Sequence, residues 1–338
     1  MAGRANSKLK VLYLWKILKE KSDIDHPMNA QDICDELQKV GIESERKSIY
    51  TSLKVLEDFG LDVEKAEPAS RGWYLEDRLF EEQELLLLID AFQSTSVMSN
   101  HLKRDLLDRI LKTSLSEAER RSFDERYSYL NTDEDDGSTG RDSGFYNIAV
   151  FMQAIADDRK VQVQYQKANA DKASPLVVSP YALIWSDNNY YLVCNKSSHP
   201  NFMHLRLDRV QSATETAEER IPCSSFAPEF QNGFDANRYK AAMFNDFSGE
   251  LHPVTLRCAG RLFSQMKDRF GERAIRWEDP KTKEYFRVKA DVFTSAGFER
   301  WVFQFGSEME VLEPADVRAD IVRRARDTLA LYEGEEQS

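Results

Sequence analysis

Apolar residues recur at helical spacing in the first part of the chain and alternate at strand spacing through much of the rest. Val11, Leu14, Trp15 and Leu18 fall at i, i+3, i+4 and i+7, and Ala30, Ile33, Cys34 and Leu37 repeat the pattern, which predicts two amphipathic helices. Gly41 stops the second. A third is expected to start with Ser44 as N-cap, to carry Ile49, Leu53, Leu56 and Phe59 as its apolar stripe, and to end at Gly60. Leu61-Asp62-Val63 and Trp73-Tyr74-Leu75 then read as two strands around the turn-rich tip Pro68-Ala69-Ser70-Arg71-Gly72. Residues 79–130 contain no proline and predict helix, with Leu85 to Leu88, Leu106, Leu107, Ile110 and Leu111 as the apolar positions.

After a helix expected at Asn147 to Asp157, the period shortens to two in Val161-Gln162-Val163-Gln164-Tyr165. Short strands are expected at Ser179-Pro180-Tyr181, at Asn189 to Cys194 and at His204 to Val210. In the last of these, His204, Arg206 and Asp208 alternate with Leu205 and Leu207. From His252 onward the pattern gives a strand to Cys258, a helix over Gly260 to Phe270, and strands at Ala274 to Trp277 and Tyr285 to Phe293. A helix over Ala296 to Phe305, a strand at Glu310-Val311-Leu312 and a final helix from Pro314 to Leu331 complete it. The order β-α-β-β-α-β suggests a ferredoxin-like domain.

A chain of 338 residues is too long for one comfortable core and predicts two or three domains. No apolar run approaches the roughly 20 residues of a membrane helix, and the start lacks the apolar stretch of a secretory signal. Cys34, Cys194, Cys223 and Cys258 are far apart and form no C-x-x-C, so reduced thiols in a cytoplasmic protein are expected, with no zinc site and no disulfide framework. Net charge is −12, yet Arg4, Lys8, Lys10, Lys16, Lys19 and Lys21 face only Glu20 in the first helix region, and the run Asp133-Glu134-Asp135-Asp136 gathers negative charge elsewhere. That run is followed by Gly137, Ser138, Thr139, Gly140, Ser143 and Gly144, a composition expected to be a flexible linker. Reading it as a calcium loop would put Thr132 and Glu134 where an EF-hand has Asp or Asn.

The outward face of the third helix carries the first candidate chemistry. At 100° per residue, Arg46, Lys47, Tyr50, Thr51 and Lys54 occupy a sector of about 140° opposite the apolar stripe, and such side chains suit phosphates and base edges. Ser44, Ser48 and the tip residue Arg71, with Lys65 nearby, complete the candidate DNA-binding set. Ser44-Glu45-Arg46-Lys47-Ser48-Ile49-Tyr50 with Leu53, Leu56 and Gly60 resembles the recognition helix of DeoR-like winged helix-turn-helix regulators. The resemblance implies a helix in the major groove and a wing on the backbone. Thr51 stands where that family often has Arg, and Glu43 and Glu45 repel phosphate. A trihelical protein-interaction module has the same apolar pattern.

Ser179-Pro180-Tyr181, Tyr190-Tyr191-Leu192 and Leu205-Arg206-Leu207-Asp208-Arg209-Val210 resemble the signature of the WYL domain, with Tyr190 in the place of the family's Trp. The resemblance implies a β-rich, Sm-like fold that senses a ligand for a bacterial DNA-binding regulator. It also implies a pocket in which Ser179, Tyr181, His204, Arg206 and Arg209 offer hydroxyl, imidazole and guanidinium donors to an anion. Tyr191 either stacks on the ligand or belongs to the core. Asp208 is read as a partner for a neighbouring Arg rather than as a general base. Phe305-Gly306-Ser307-Glu308-Met309-Glu310-Val311-Leu312-Glu313-Pro314 with Val317-Arg318 resembles the C-terminal extension that follows WYL domains, and Arg318, Arg323, Arg324 and Arg326 read as a paired, solvated face.

The expected architecture is a multidomain α+β protein. Its parts are a winged helix-turn-helix domain at 1–78, a helical connector at 79–130, a flexible acidic linker at 131–145, a WYL domain at 146–221, a linker at 222–249 and a ferredoxin-like C-terminal domain at 250–333. The expected function is a cytoplasmic, homodimeric transcriptional regulator, with repression favoured. It binds double-stranded DNA and senses an anionic effector, single-stranded nucleic acid or a nucleotide included. No nucleophile, metal or phosphate-loop motif is found, so no enzyme activity and no cofactor are expected. The rival reading is an interaction adaptor that controls a nuclease or another partner enzyme.

Overall fold

The computed structural model describes residues 2–68, 72–76, 78–127, 142–186, 188–197, 199–244 and 249–333 and, for residues 2–7, the backbone alone. The acid run Asp133 to Asp136 and the tip residue Arg71 lie outside the described residues. The chain divides into two compact units, Met1–Ser94 with Ser99–Ser138, and Thr95–Met98 with Thr139–Ser338.

The first unit opens with three helices, α1 (Ala2–Lys21), α2 (Ala30–Lys39) and α3 (Arg46–Phe59), followed by an antiparallel hairpin of β1 (Val63–Lys65) and β2 (Trp73–Leu75). Asn29 caps α2 with a reciprocal box, its side chain accepting from the Gln31 and Asp32 amides while Asp32 accepts from the Asn29 amide. Leu14, Leu18, Ile33, Leu37, Ile49, Leu53 and Leu56 meet in one core. Three expectations shift. Trp15 is 39% exposed and Ile17 takes its inward place, while Phe59 is 81% exposed at the end of the expected stripe. The first strand lies two residues later than Leu61, because Leu61 still packs under α3. Ser44 is not the N-cap of α3: Glu45 holds that position with extended backbone and no side-chain cap, and Ser44 Oγ instead lies 2.9 Å from Ser48 Oγ.

Three further helices, α4 (Glu82–Ser94), α5 (Asn100–Ser114) and α6 (Glu117–Arg126), pack around Leu85, Ile89, Leu111 and Phe123. Asp23, only 3% exposed, ties this layer to the first three helices. Its carboxylate accepts from the His26 amide at 2.8 Å, the Asp25 amide at 3.0 Å and the Ser116 hydroxyl at 2.6 Å, and His26 Nδ1 lies 2.8 Å away. Burial alone would raise this carboxyl, but the hydrogen bonds from Ser116 and His26 hold it below the usual aspartate range. With its folded-state pKa below the unfolded value of about 4, Asp23 contributes stability that is fully present above about pH 4 and is lost as pH falls through the depressed value. Asp23→Asn is therefore expected to lower stability by about 2 kcal/mol at neutral pH. Urea midpoints of the variant are expected to fall less steeply than wild type below pH 4, and parallel curves would contradict this role.

The second unit begins with α7 (Asp142–Ala156), so residues 142–145 of the expected linker form the first turn of a helix. Gly144 is needed there, because a Cβ would lie 2.4 Å from the Leu207 carbonyl oxygen. The helix packs on a five-stranded antiparallel sheet of β3 (Arg159–Tyr165), β4 (Ser174–Ser186), β5 (Asn189–Asn195), β6 (Met203–Arg206) and β7 (Val210–Glu219), in the order β6-β5-β4-β3-β7. The expected strand from His204 to Val210 ends at Arg206. Leu207–Arg209 is a 3-10 turn, which lets the chain turn into β7 and brings the Asp208 carboxylate onto Arg206.

Residues 222–244 of the span expected as a linker, 222–249, are folded onto the sheet and hold α8 (Ala236–Ala242). Phe230 and Tyr239 are buried there, and with Cys223, Ala242 and Met243 they pack against Tyr181, Tyr191 and Val193 of the sheet. Burial raises the pKa of both the Tyr181 and the Tyr239 phenol. The C-terminal part runs β8 (Glu250–Ala259), α9 (Phe263–Phe270), β9 (Ile275–Trp277), β10 (Tyr285–Thr294), α10 (Ala296–Phe303) and β11 (Met309–Glu313), then α11 (Ala315–Glu333). This is the expected order of elements, and the four strands pair antiparallel as β11-β8-β10-β9 over a core that includes Phe286, Val288, Phe298 and Val302. Arg318, Arg323 and Arg324 are ion-paired to Glu310, Asp320 and Glu299. Among the described residues no helix is long and apolar enough to cross a membrane.

Candidate functional site

The first candidate site is the outer face of α3. Ile49, Ser52, Leu53 and Leu56 point inward, the Ser52 hydroxyl satisfied by the Ser48 carbonyl. Gly60 closes the helix in a left-handed conformation at φ 101°. The remaining face is left to Arg46, Lys47, Tyr50, Thr51 and Lys54, all exposed. Arg46 donates from Nε to Gln31 Oε1 at 2.8 Å, which fixes it against α2. Among the described residues Lys47 and Lys54 form no ion pair, so their charge is available to an external anion.

Tyr50, 53% exposed, meets the Trp73 ring edge-on at 5.2 Å, and Lys65 lies 5.7 Å over the same ring. Trp73 therefore joins the helix to the hairpin, a role its place in a three-residue strand did not announce. The hairpin is held further by a bridge between Met28 and Trp73, with N–H···O distances of 2.8 and 2.9 Å. Ser44 and Ser48 are half-buried and engaged with each other, and Glu43 and Glu45 stand exposed at the start of the helix.

The second candidate site lies on the five-stranded sheet. Register places Arg206 opposite Tyr191 and Tyr191 opposite Ile184, with His204 opposite Val193, so these side chains share one face. A bulge between Pro180 and Ala182 sends both Tyr181 and Ala182 into the same aromatic core.

The six expected effector residues separate into four groups. Ser179 and Tyr181 are buried, 1% and 4% exposed, and clamp the backbone of Ile221 on both sides: the Tyr181 hydroxyl donates to the Ile221 carbonyl at 2.6 Å and the Ile221 amide donates to Ser179 Oγ at 3.0 Å. Tyr191 is buried beside His204, whose Nε2 lies 3.0 Å from the Tyr239 hydroxyl. Arg206 makes a two-pronged pair with Asp208, Nε to Oδ1 at 3.1 Å and Nη2 to Oδ2 at 2.7 Å, and that hydrogen-bonded carboxylate holds the guanidinium even more firmly cationic.

Arg209 is half-buried and has no ion pair among the described residues; its carbonyl accepts from the Gln166 amide at 3.0 Å. The Gln166 side chain in turn accepts from Gln211 at 3.3 Å. Sequence reasoning missed three contributors here. Tyr239 fixes His204, Arg220 pairs with Asp158 at 2.6 Å while lying 5.4 Å over the Tyr181 ring, and Tyr165 borders Arg206. Among the described residues no group of three or more His, Cys, Asp and Glu side chains is placed to hold a metal ion. Burial raises the Cys194, Cys223 and Cys258 thiols, the last to about 12, which leaves them protonated and poor nucleophiles at neutral pH.

Two family matches fall on the second unit: the WYL domain over residues 147–215 and the WCX domain over residues 250–329. No curated protein matches the sequence. Among solved structures, proteasome accessory factor B/C (PafBC) of Arthrobacter aurescens aligns with 92% of this chain at 18% identity and a TM-score of 0.28. This chain spans about half of that protein, 47% of its length. A CRISPR Cas-related protein aligns with 77% of this chain and 76% of its own at 14% identity and a TM-score of 0.33.

Proposed function

We propose that this chain, which carries a WYL domain followed by a WCX domain, is a transcriptional regulator that binds duplex DNA through α3 and adjusts that binding to an anionic effector. The observation that carries the first half is the face of α3. Lys47, Tyr50, Thr51 and Lys54 are exposed on the helix that follows α2, and a two-stranded wing is joined to it through Trp73. Under this reading residues 1–78 are a winged helix-turn-helix domain, and α3 lies in the major groove with Lys65 near the backbone. The sheet at 146–221 is Sm-like and the segment at 250–333 is ferredoxin-like. The exposed Leu329, Leu331 and Tyr332 of α11 favour a homodimer, whose two recognition helices then meet half-sites about 34 Å apart. Repression is the favoured sign, and the molecule acts in the cytoplasm without cofactor or catalysis.

The effector is a phosphate-bearing anion, nucleotide or single-stranded nucleic acid, held by Arg209 and Arg206 beside Tyr165, Gln166 and Gln211. Ser179, Tyr181 and Tyr191 act as the buried frame of that site. Arg206 gives up part of its pairing to Asp208 when the phosphate arrives, so Asp208 competes with the ligand and keeps affinity moderate. The test is the response of the protein–duplex complex to a short single-stranded oligonucleotide. Wild type is expected to change its duplex affinity by about 1–3 kcal/mol of coupling, and Arg206→Ala with Arg209→Ala is expected to abolish the response while leaving duplex binding alone intact. An unchanged response in the double variant would overturn the site.

The adaptor reading rests on the same exposed apolar residues of α11 and on Leu87 of α4. It predicts duplex binding that is weak and indifferent to changes on α3.

A further inference from the structure

Away from both sites, α8 and the C-terminal sheet leave a cleft of about 280 Å³ between them. Its apolar wall is Phe230, Leu251, Phe270 and Phe293, and the small side chains of Ala241, Ala274 and Ala290 leave the volume open. Phe230 and Phe293 are buried and form a fixed floor beneath the cleft, while the half-buried Leu251 and Phe270 supply its accessible apolar surface. Arg238, Arg269 and Lys289 converge on this cleft against one acid, Asp291.

The anchoring of the cations is informative. The Arg238 guanidinium donates through Nη1 to the Glu229 carbonyl at 2.8 Å and lies 5.8 Å over the Phe230 ring. Arg269 donates to the Met243 carbonyl and lies 4.3 Å over the Phe244 ring. Arg238 is thus oriented by a neutral carbonyl and a ring face while most of its five N–H donors stay available. Among the described residues neither Arg238 nor Lys289 has a carboxylate within ion-pair distance, whereas eight of the fifteen other described arginines of this unit are ion-paired.

We propose that this cleft is a second ligand site, for a small aromatic acid whose carboxylate meets Arg238 and Lys289 and whose flat ring lies against Leu251 and Phe270. The volume sits at the small end of ligand pockets, which suits one or two fused rings rather than a polymer. A guanidinium fork takes a planar carboxylate in two parallel hydrogen bonds, and Lys289 adds a point charge. Asp291 repels a second acidic group and accepts from a ring N–H or hydroxyl, which selects monoacids carrying a donor. Because α8 bears Tyr239, the hydrogen-bond partner of His204, occupation of the cleft bears on the element that frames the sheet face.

Calorimetric titration of the full chain with 2-naphthoate, and with 2-naphthalenemethanol as the neutral body of the same ring, tests the proposal without DNA. The carboxylate is expected to bind at least about tenfold more tightly than the alcohol. Arg238→Gln with Lys289→Gln, both at exposed positions, is expected to remove that preference and leave the melting profile unchanged. Ala241→Phe, which fills the cleft and keeps every charge, is expected to weaken both ligands. Equal binding of the two ligands, or a double variant within about twofold of wild type for naphthoate, overturns the proposal.

Discussion

Replacing Lys47 and Tyr50 together by alanine is expected to weaken binding to duplex DNA by about 100-fold while the protein stays folded. Loss of one phosphate contact and one base or sugar contact amounts to about 2–4 kcal/mol, and each 1.4 kcal/mol is a factor of ten. Lys47 supports no other part of the molecule: it is exposed and forms no ion pair among the described residues. Tyr50 gives up an edge contact with Trp73 at 5.2 Å, for which about 0.5–1.5 kcal/mol of stability is expected. Lys47→Ala alone is expected to reduce the slope of log affinity against log salt by about one, because one counterion fewer is released. Fluorescence anisotropy at several salt concentrations reads both effects. A double variant that binds as wild type does would remove α3 from the interface and favour the adaptor.

Tyr239→Ala is expected to destabilise the second unit by about 3–5 kcal/mol, the range for truncating a large buried ring. The ring is 0% exposed and meets Phe293 at 4.9 Å, Phe202 at 5.0 Å and Phe234 at 5.1 Å, so nothing adjacent can collapse into the hole without giving up its own contacts. Its hydroxyl is 3.0 Å from His204 Nε2, and Tyr239→Phe, which removes only that bond, is expected to cost about 1 kcal/mol. Denaturant unfolding followed by circular dichroism separates the two. A loss below about 1 kcal/mol for Tyr239→Ala would mean that the segment 222–244 behaves as the linker its composition suggests.

That segment shows where sequence reading reached and where it stopped. Pro222, Pro228 and Gly233 punctuate it as loop, and no stretch is long enough for a periodic pattern. The available signal was the recurrence of Phe226, Phe230 and Phe234 followed by Tyr239, an aromatic content that a solvated linker does not need. The strand expected over His204 to Val210 failed for a different reason. A 3-10 turn places Leu207 inward and Asp208 outward much as a strand would, so alternation alone could not report the turn that brings Asp208 onto Arg206. By contrast α2 was fully legible, because Ala30, Ile33, Cys34 and Leu37 are all buried as their spacing required. Trp15 and Phe59 fit their helical stripes equally well and are exposed, since each lies at the edge of a stripe that the core does not fully cover. The outward face of α3 followed from the same periodicity, whereas the contribution of Trp73 needed the hairpin in place. For the sheet site, strand pairing was needed to separate the buried frame of Ser179, Tyr181 and Tyr191 from the half-buried Arg209.

The central claim is sequence-specific binding of duplex DNA, and it is tested most directly by titrating the full chain onto labelled duplex from its own upstream region. The titration is run at two salt concentrations against a scrambled duplex as competitor. The account predicts binding that weakens steeply with salt and that the scrambled duplex competes away poorly, as expected of a protein whose specific affinity exceeds its non-specific affinity by about 10³-fold or more. Equal affinity for the two duplexes, or binding that does not change with salt, would contradict it.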